Sequence, residues 1–173
     1  MGSDGRLWCY KRKGEKLSKR TVKPTVKHGG GSAIVWGCMS MQGVGRMSNI
    51  DGIMYSEDYV DILDDKLLPT VTDHGLRRGG YIFQQDNDPK HTSRMAKEWF
   101  KDHRVTVLDW PANSPDLNPI EHLWVYLKQQ LNNYERFPTS MHELNQRIEA
   151  EWNKIPREEC IKLIESLPRR IQQ

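Results

Sequence analysis

The apolar residues of this chain follow two patterns, and the first pattern predicts strands. Residues 33–39 are apolar almost throughout and rich in β-branched side chains, which is typical of a strand covered on both faces. A weaker strand at 46–50 follows a glycine-rich turn. Shorter apolar runs predict further strands at 7–10, 81–85 and 105–108.

The second pattern, with apolar residues three and four positions apart, predicts helices. Polar caps and prolines mark their ends, as where Asn118 precedes Pro119 and where Ser140 stands three residues before Glu143. Strands followed by alternating strands and helices indicate a mixed α/β domain. The predicted helices run from Ser56 to about Leu68 before Pro69, from Thr92 or Ser93 onward, from Pro119 to about Leu131, from Ser140 through Trp152, and from about Pro156 to Leu167.

Composition narrows the class of protein. A length of 173 residues predicts a single domain, 1–173, with room for a core, and 36% apolar with 28% charged residues excludes wholesale disorder. No apolar stretch approaches the roughly 20 residues of a membrane span, and no secretory signal opens the chain. Cys9, Cys38 and Cys160 lack the spacing of a zinc site or disulfide framework, which indicates a reducing compartment. Four tryptophans lie in apolar patterns and are predicted to be core: Trp36, Trp99, Trp124 and Trp152.

Charge is distributed unevenly. Nine basic and two acidic side chains give residues 1–30 a formal charge of +7, while the remaining residues carry −4, so the net charge is +3. A concentrated basic segment at 6–30 suits a phosphate backbone, because binding releases condensed counterions. The alternative is a solvated basic hairpin that binds nothing.

Two carboxylates carry the candidate chemistry. Asp86 ends the predicted strand at 81–85, and Glu121 opens the helix after Asn118, with 34 residues between them. Carboxylates from a strand end and a later helix can converge on divalent metal ions, the arrangement that two-metal phosphoryl transfer needs. Two plainer roles stay open: Asp86 bonding the turn at 87–89, and Glu121 completing a capping box with Asn118.

Motifs spread over nearly the whole chain carry a resemblance to a known family. The motifs are HGGGS at 28–32, VWGC at 35–38, IDG at 50–52, YVDIL at 59–63, QDNDPKH at 85–91, WP at 110–111 and SPDLNPIEHLW at 114–124. With these motifs in this order and spacing, the chain resembles the catalytic domain of mariner-type (Sleeping Beauty-like) DDE transposases. The resemblance implies a ribonuclease H-like mixed sheet flanked by helices, with strands in the order 3-2-1-4-5.

The family uses three metal-binding acids, and the resemblance assigns two of them here. Asp86 resembles the second and Glu121 the third, while the first lies on a central strand that we expect to precede Gly2. Asp4 matches the loop after that strand, and the DNA-binding helices that precede the family's catalytic domain are also expected outside this chain. The acids near the motifs fit turns instead and are not expected to replace the first one: Asp51, Asp88 and Asp116, with Asp109 beside them.

The resemblance also implies cofactors and partners. Two Mg²⁺ or Mn²⁺ ions would serve attack by water at a transposon end and then by the freed 3′-OH on target DNA, at a TA dinucleotide. It further implies a homodimer during transposition and action in the nucleus. Predicted DNA-binding residues are Lys11, Arg12, Lys13, Lys19, Arg20, Lys23, Lys27, His28, Lys90 and His91. For His28 the alternative is a flexible glycine connector, and for Lys90 and His91 a solvated helix start.

Three functional hypotheses follow. The first is a transposase core that cleaves and joins DNA. The second is a domesticated or decayed remnant that binds DNA or a protein partner without catalysis, because two of three ligands hold metal poorly. The third, a ribonuclease H-type nuclease, is disfavoured by the glycine run at 29–31 and by the motif at 114–119.

Overall fold

The computed structural model of this protein describes residues 33–77, 79–111, 114 and 117–171. The predicted strand at 7–10 and the basic segment 6–30 lie outside the described residues. The strands are β1 Ile34–Trp36, β2 Met39–Ser40, β3 Gly43–Val44, β4 Ser48–Ile50, β5 Ile82–Phe83 and β6 Thr106–Val107. The helices are α1 Ser56–Ile62, α2 Leu68–Asp73, α3 Arg94–Asp102, α4 Pro119–Asn132, α5 Met141–Asn153, α6 Arg157–Glu165 and α7 Leu167–Ile171, with a π-helical turn at Leu63–Leu67.

The predicted strand at 33–39 is interrupted in the middle. It forms β1 and β2, and Gly37 lies in the gap between them. A Cβ at Gly37 would stand 2.9 Å from the ring of Trp124 and 3.0 Å from that of Trp152. The backbone therefore passes directly against two tryptophan rings, and only glycine fits there without displacing one of them. In the same gap, the Cys38 carbonyl accepts from the Gly45 amide at 2.7 Å.

The strands pair in three separate ladders. β1 pairs antiparallel with β4, β2 pairs antiparallel with β3, and β5 pairs parallel with β6. Among the strands of the described residues, no ladder joins one pair to another, so no single continuous sheet is formed by these residues alone.

The helix after β4 continues beyond its predicted end. It begins at Ser56 with Tyr55, not Ser56, as the N-cap, and it passes through the π-helical turn into α2 as far as Asp73. The prediction that Pro69 would follow the helix is wrong. Proline lacks an N–H and its ring collides with the preceding turn of a regular helix, but here the wider π-helical turn ends at Leu67 and Pro69 is the second residue of α2.

The remaining helices match their predicted starts. Ser93 caps α3 by accepting from the Ala96 amide at 3.2 Å, and Ser140 caps α5 by accepting from the Glu143 amide at 3.1 Å. Asn118 precedes α4 as predicted. The predicted last helix, however, is divided into α6 and α7.

Two apolar clusters hold these elements together. The first lies among β1, α1, α2 and α3 and includes Tyr59, Leu63 and Trp99, and the second lies among α4, α5 and α6 around Leu123 and Trp152. Trp36, Trp99 and Trp152 are buried as predicted, and half-buried Trp124 stacks on Trp152 with ring centroids 4.9 Å apart. None of the helices in the described residues is long and apolar enough to cross a bilayer.

Candidate metal and nucleic-acid site

Asp86 stands just beyond the end of a parallel strand pair. β5 pairs with β6, and the Leu108 amide donates to the Phe83 carbonyl at 2.8 Å, which extends the contact past both strands. The chain then leaves the sheet, and the Asp86 side chain is 58% exposed. Because carboxyl ends of parallel strands open onto one edge of a sheet, this is a common place for a binding site.

The two oxygens of the Asp86 carboxylate differ in their surroundings. Oδ1 accepts from the Asp88 amide at 3.2 Å and lies 2.5 Å from Nδ1 of His91. No described residue hydrogen-bonds Oδ2. The hydrogen bond from His91 is the main cause that lowers the pKa of Asp86, outweighing the opposing effect of burial. Asp86 is therefore anionic at neutral pH, with one oxygen engaged and the other open.

Glu121 lies in the first turn of α4, where its carboxylate is exposed. Its amide donates to the Asn118 carbonyl at 3.2 Å, but the Asn118 side chain makes no capping hydrogen bond. No described residue hydrogen-bonds the Glu121 carboxylate, so the capping-box interpretation of Glu121 is wrong. The reason lies in a competing contact, because Oδ1 of Asn118 accepts from Nε2 of Gln84 at 3.1 Å.

This Gln84–Asn118 hydrogen bond joins the end of β5 to the start of α4. Asp86 lies two residues after Gln84, a reach of at most about 7 Å. Glu121 lies three residues after Asn118, about one helical turn and roughly 5 Å along the axis. The Gln84–Asn118 contact therefore joins the two segments that carry the carboxylates, while the sharing of metal ions by Asp86 and Glu121 stays a prediction.

A polar network that the sequence did not reveal lies beside Asp86 and links Tyr59, Gln85 and His91. The hydroxyl of fully buried Tyr59 donates to Oε1 of Gln85, whose Nε2 donates to the His91 carbonyl at 3.1 Å. The Tyr59 and His91 rings face each other at a centroid distance of 4.3 Å. Burial, followed by the charge of Asp86, raises the pKa of Tyr59, so its hydroxyl stays protonated. The adjacent glutamines at the end of an apolar strand were the available signal, while Tyr59 looked like an ordinary core residue.

The loop after Asp86 is fixed by its own side chains. Asp88 accepts from the Lys90 amide at 3.1 Å and pairs with Nζ of Lys90 at 2.6 Å, while its carbonyl accepts from the His91 amide. The turn role predicted for Asp88 is thereby confirmed. Asn87 Nδ2 donates to the Trp110 carbonyl at 2.8 Å and ties the loop to the segment beyond β6.

The predicted DNA-binding residues fall into two groups. Lys11, Arg12, Lys13, Lys19, Arg20, Lys23, Lys27 and His28 lie outside the described residues. The Lys90 ammonium forms a salt bridge with the Asp88 carboxylate, and the His91 side chain is only 15% exposed. DNA contact by these residues stays a prediction. Among residues 33–77, 79–111, 114 and 117–171, no group of three or more acidic, histidine or cysteine side chains is placed to hold a metal ion.

Known proteins match this chain in sequence and in fold. The sequence profile of a family described as "DDE superfamily endonuclease" matches residues 6–145. The transposase of the transposable element Tc1 from Caenorhabditis elegans is 44% identical over 172 residues, which cover 99% of this chain and 62% of that protein. The chain thus spans about three fifths of the length of this relative.

Two solved structures show the fold. The Mos1 transposase catalytic domain with Raltegravir and Mg is 22% identical, has a TM-score of 0.69, and is matched over 80% of this chain and 71% of that one. The Mos1 transposase paired-end complex with the left transposon end is 22% identical with a TM-score of 0.76, over 95% and 48% of the two chains. The predicted ribonuclease H-like α/β fold is confirmed. With the family profile covering most of its length, this chain belongs to the DDE superfamily of endonucleases.

Proposed function

We propose that this chain forms part of a transposase core that cleaves DNA strands and transfers them with the help of divalent metal ions. The observation that carries the proposal is the contact between Gln84 and Asn118, which holds the end of β5 against the start of α4. Asp86 and Glu121 follow that contact closely, and both present carboxylate oxygens without a hydrogen bond from any described residue. Acidic groups left open in this way are suited to cations.

The donor set fits the expected metal. Mg²⁺ and Mn²⁺ are hard cations that prefer carboxylate oxygen, and it is the open Oδ2 of Asp86 and the Glu121 carboxylate that would hold them. Such ions stabilise charge on the attacked phosphate and activate an attacking oxygen. The related fold of the Mos1 catalytic domain was solved with Mg. Two ions, rather than one, are part of our proposal on the chemistry of phosphoryl transfer.

The protein's own residues contribute placement. His91 and the Asp88 amide hold Oδ1 of Asp86, which leaves Oδ2 without a hydrogen bond from any described residue. Glu121 is carried by a helix of 14 residues, so its backbone position is rigid. We propose double-stranded DNA as substrate, with the basic segment 6–30 and Lys90 as phosphate contacts, TA as target, a homodimer during transposition, and the nucleus as compartment. Two of these proposals, DNA as substrate and a homodimer, are supported by the likeness in fold to the Mos1 paired-end complex with the left transposon end.

A second function is favoured by one observation. Among the described residues, no group of three or more acidic, histidine or cysteine side chains is placed to hold a metal ion. A protein with this arrangement that bound DNA through its basic segment without cutting it would be a non-catalytic remnant of a transposase. From this chain alone we expect metal binding and DNA binding, and no strand cleavage.

The proposal is tested by titrating the chain with Mn²⁺ and following free Mn²⁺ by electron paramagnetic resonance. Asp86→Asn and Glu121→Gln are each expected to weaken binding about tenfold or more, because each removes a charged ligand from one site. Asp51→Asn, which changes an exposed acid in another loop, is the matched control and is expected to bind like the wild type. If either site variant also bound like the wild type, a shared metal site would be excluded.

Strand cleavage separates the two functions. A labelled duplex carrying a transposon end is incubated with the chain and Mn²⁺, and nicks are counted on a denaturing gel. Nicking that disappears in both Asp86→Asn and Glu121→Gln would establish catalysis by this chain and contradict our expectation of inactivity. DNA retention without nicking, weakened by salt, fits the remnant or a core that needs further sequence.

A further inference from the structure

We propose that His91 is a positioning residue for the metal site: its imidazole fixes the Asp86 carboxylate so that one oxygen stays turned toward the cation. This inference rests on the proposed function, because it assigns Asp86 to a metal. It gives His91 a role in place of direct contact with DNA phosphate.

The first support is the contact itself. Nδ1 of His91 lies 2.5 Å from Oδ1 of Asp86. An ionised carboxylate only accepts hydrogen bonds, so Nδ1 carries the proton and donates it to Oδ1. Charge-assisted hydrogen bonds of this kind are short and strong. Because the Asp88 amide donates to the same oxygen, both fixed donors gather on Oδ1 and Oδ2 is the one left open.

The second support is that His91 is itself held in place. Its side chain is only 15% exposed, and its ring lies against the ring of fully buried Tyr59 at 4.3 Å. The backbone is fixed too, since the His91 carbonyl accepts from Gln85 and the His91 amide donates to Asp88. Because the His91 ring packs against Tyr59 and the His91 backbone is hydrogen-bonded, His91 can fix the position of the Asp86 carboxylate, which is otherwise 58% exposed.

The third support is what the ring does not do. Nε2 of His91 is buried and has no hydrogen-bond partner among the described residues. In this arrangement neither ring nitrogen faces solvent: one is engaged by Asp86 and the other is enclosed. Hydrogen bonds from outer residues to metal-binding carboxylates are worth about tenfold to a hundredfold in metal affinity. The geometry of the His91 side chain therefore favours a role in holding the metal-binding carboxylate of Asp86 over direct contact with a DNA phosphate.

Two substitutions separate positioning from packing. His91→Phe keeps a ring against Tyr59 but removes the donor, and His91→Asn loses the ring but places an amide N–H near the position of Nδ1. If His91 positions Asp86, His91→Phe should weaken Mn²⁺ binding about tenfold or more, with a melting temperature close to that of the wild type. His91→Asn should melt at a lower temperature and still bind Mn²⁺ more tightly than His91→Phe. The readouts are Mn²⁺ binding by paramagnetic resonance and thermal unfolding by circular dichroism, both on the whole chain.

The possible outcomes distinguish this inference from the function beneath it. If Asp86→Asn weakens Mn²⁺ binding and His91→Phe does not, the positioning role is overturned while the metal site stands. If Asp86→Asn binds like the wild type, the metal site is wrong and the role of His91 falls with it. If Mn²⁺ affinity follows the melting temperature through both variants, His91 acts only by packing. Long-range ¹H–¹⁵N NMR adds a direct check, since His91 should be found with its proton on Nδ1 in the wild type.

Discussion

The starts of α4 and α5 carry the same sequence signature and use it in opposite ways. Each helix has a polar N-cap residue followed three positions later by a glutamate: Asn118 with Glu121, and Ser140 with Glu143. At α5 the signature becomes a cap, because Ser140 accepts from the Glu143 amide and the Glu143 carboxylate accepts from the Thr139 amide at 2.8 Å and its hydroxyl at 2.7 Å. At α4 neither side chain caps the helix.

The difference teaches how a functional carboxylate is kept open. Arg136 of the loop before α5 and Arg147 of α5 both pair with Glu143, so its charge is balanced by nearby cations. Asn118 is drawn instead to Gln84 on the strand side of the molecule, and Glu121 is left without a hydrogen-bonding partner among the described residues. A glutamate in the third helical position is thus a structural group at one start and a candidate metal ligand at the other.

The largest expected effect comes from removing the support that both helices share. Trp152 of α5 is fully buried, stacks on Trp124 of α4, and donates from Nε1 to the Gly45 carbonyl at 2.8 Å. Trp152→Ala should lower the free energy of unfolding by about 3–5 kcal/mol, because it leaves a cavity and an unpaired carbonyl. Urea unfolding followed by circular dichroism measures it. Phe137→Ala, at a side chain that is 74% exposed, is the aromatic control, and an equal loss there would contradict the account.

A smaller effect should come from the contact that distinguishes α4. In a double-mutant cycle of Gln84→Ala and Asn118→Ala, we expect a coupling energy of about 1 kcal/mol, the usual net value of a hydrogen bond. Unfolding in urea gives the four free energies that the cycle needs. Pairing Gln84→Ala with Asn133→Ala at the far end of α4, about 21 Å along the helix, should show no coupling. A coupling near zero in the first cycle would mean that the contact does not join the strand to the helix.

The smallest effect is a pH dependence that only α5 should show. Hydrogen bonds from Thr139, and then the Arg147 contact, lower the pKa of Glu143 from 4.5 to about 2. A carboxylate with a lowered pKa stabilises the folded state above its unfolded pKa, and this contribution is lost as pH falls from 4.5 toward 2. Glu143→Gln should therefore be less stable than the wild type at pH 7, and the gap should close across that window.

Glu121→Gln serves as the matched comparison for this measurement. Its carboxylate makes no hydrogen bond to a described residue, so the substitution should leave the unfolding free energy unchanged at pH 7. Urea midpoints at several pH values compare the two variants directly. A Glu121→Gln variant as destabilised as Glu143→Gln would show that both glutamates are structural, and the contrast between the two helix starts would be lost.

Much of the local structure was predictable because short-range rules decided it. Ser93 and Ser140 mark helix starts in the sequence and in the structure, since side-chain caps act over three or four residues. Pro69 was misjudged because a π-helical turn, which has no signature in the apolar pattern, precedes it. The break at Gly37 depends on tryptophans that are remote in sequence, so no window around residue 37 could show it.

The candidate site likewise has features that the sequence predicts and features that only the tertiary structure decides. The sequence by itself determined the family, the α/β class and the choice of Asp86 and Glu121, because ordered motifs at fixed spacings carry that information. Only the tertiary structure decided which oxygen of Asp86 stays open, that His91 turns inward onto it, and that Asn118 bonds Gln84 instead of capping its helix. These outcomes are competitions among several hydrogen-bonding partners, and the winner is set by which side chains folding brings within about 3 Å of one another.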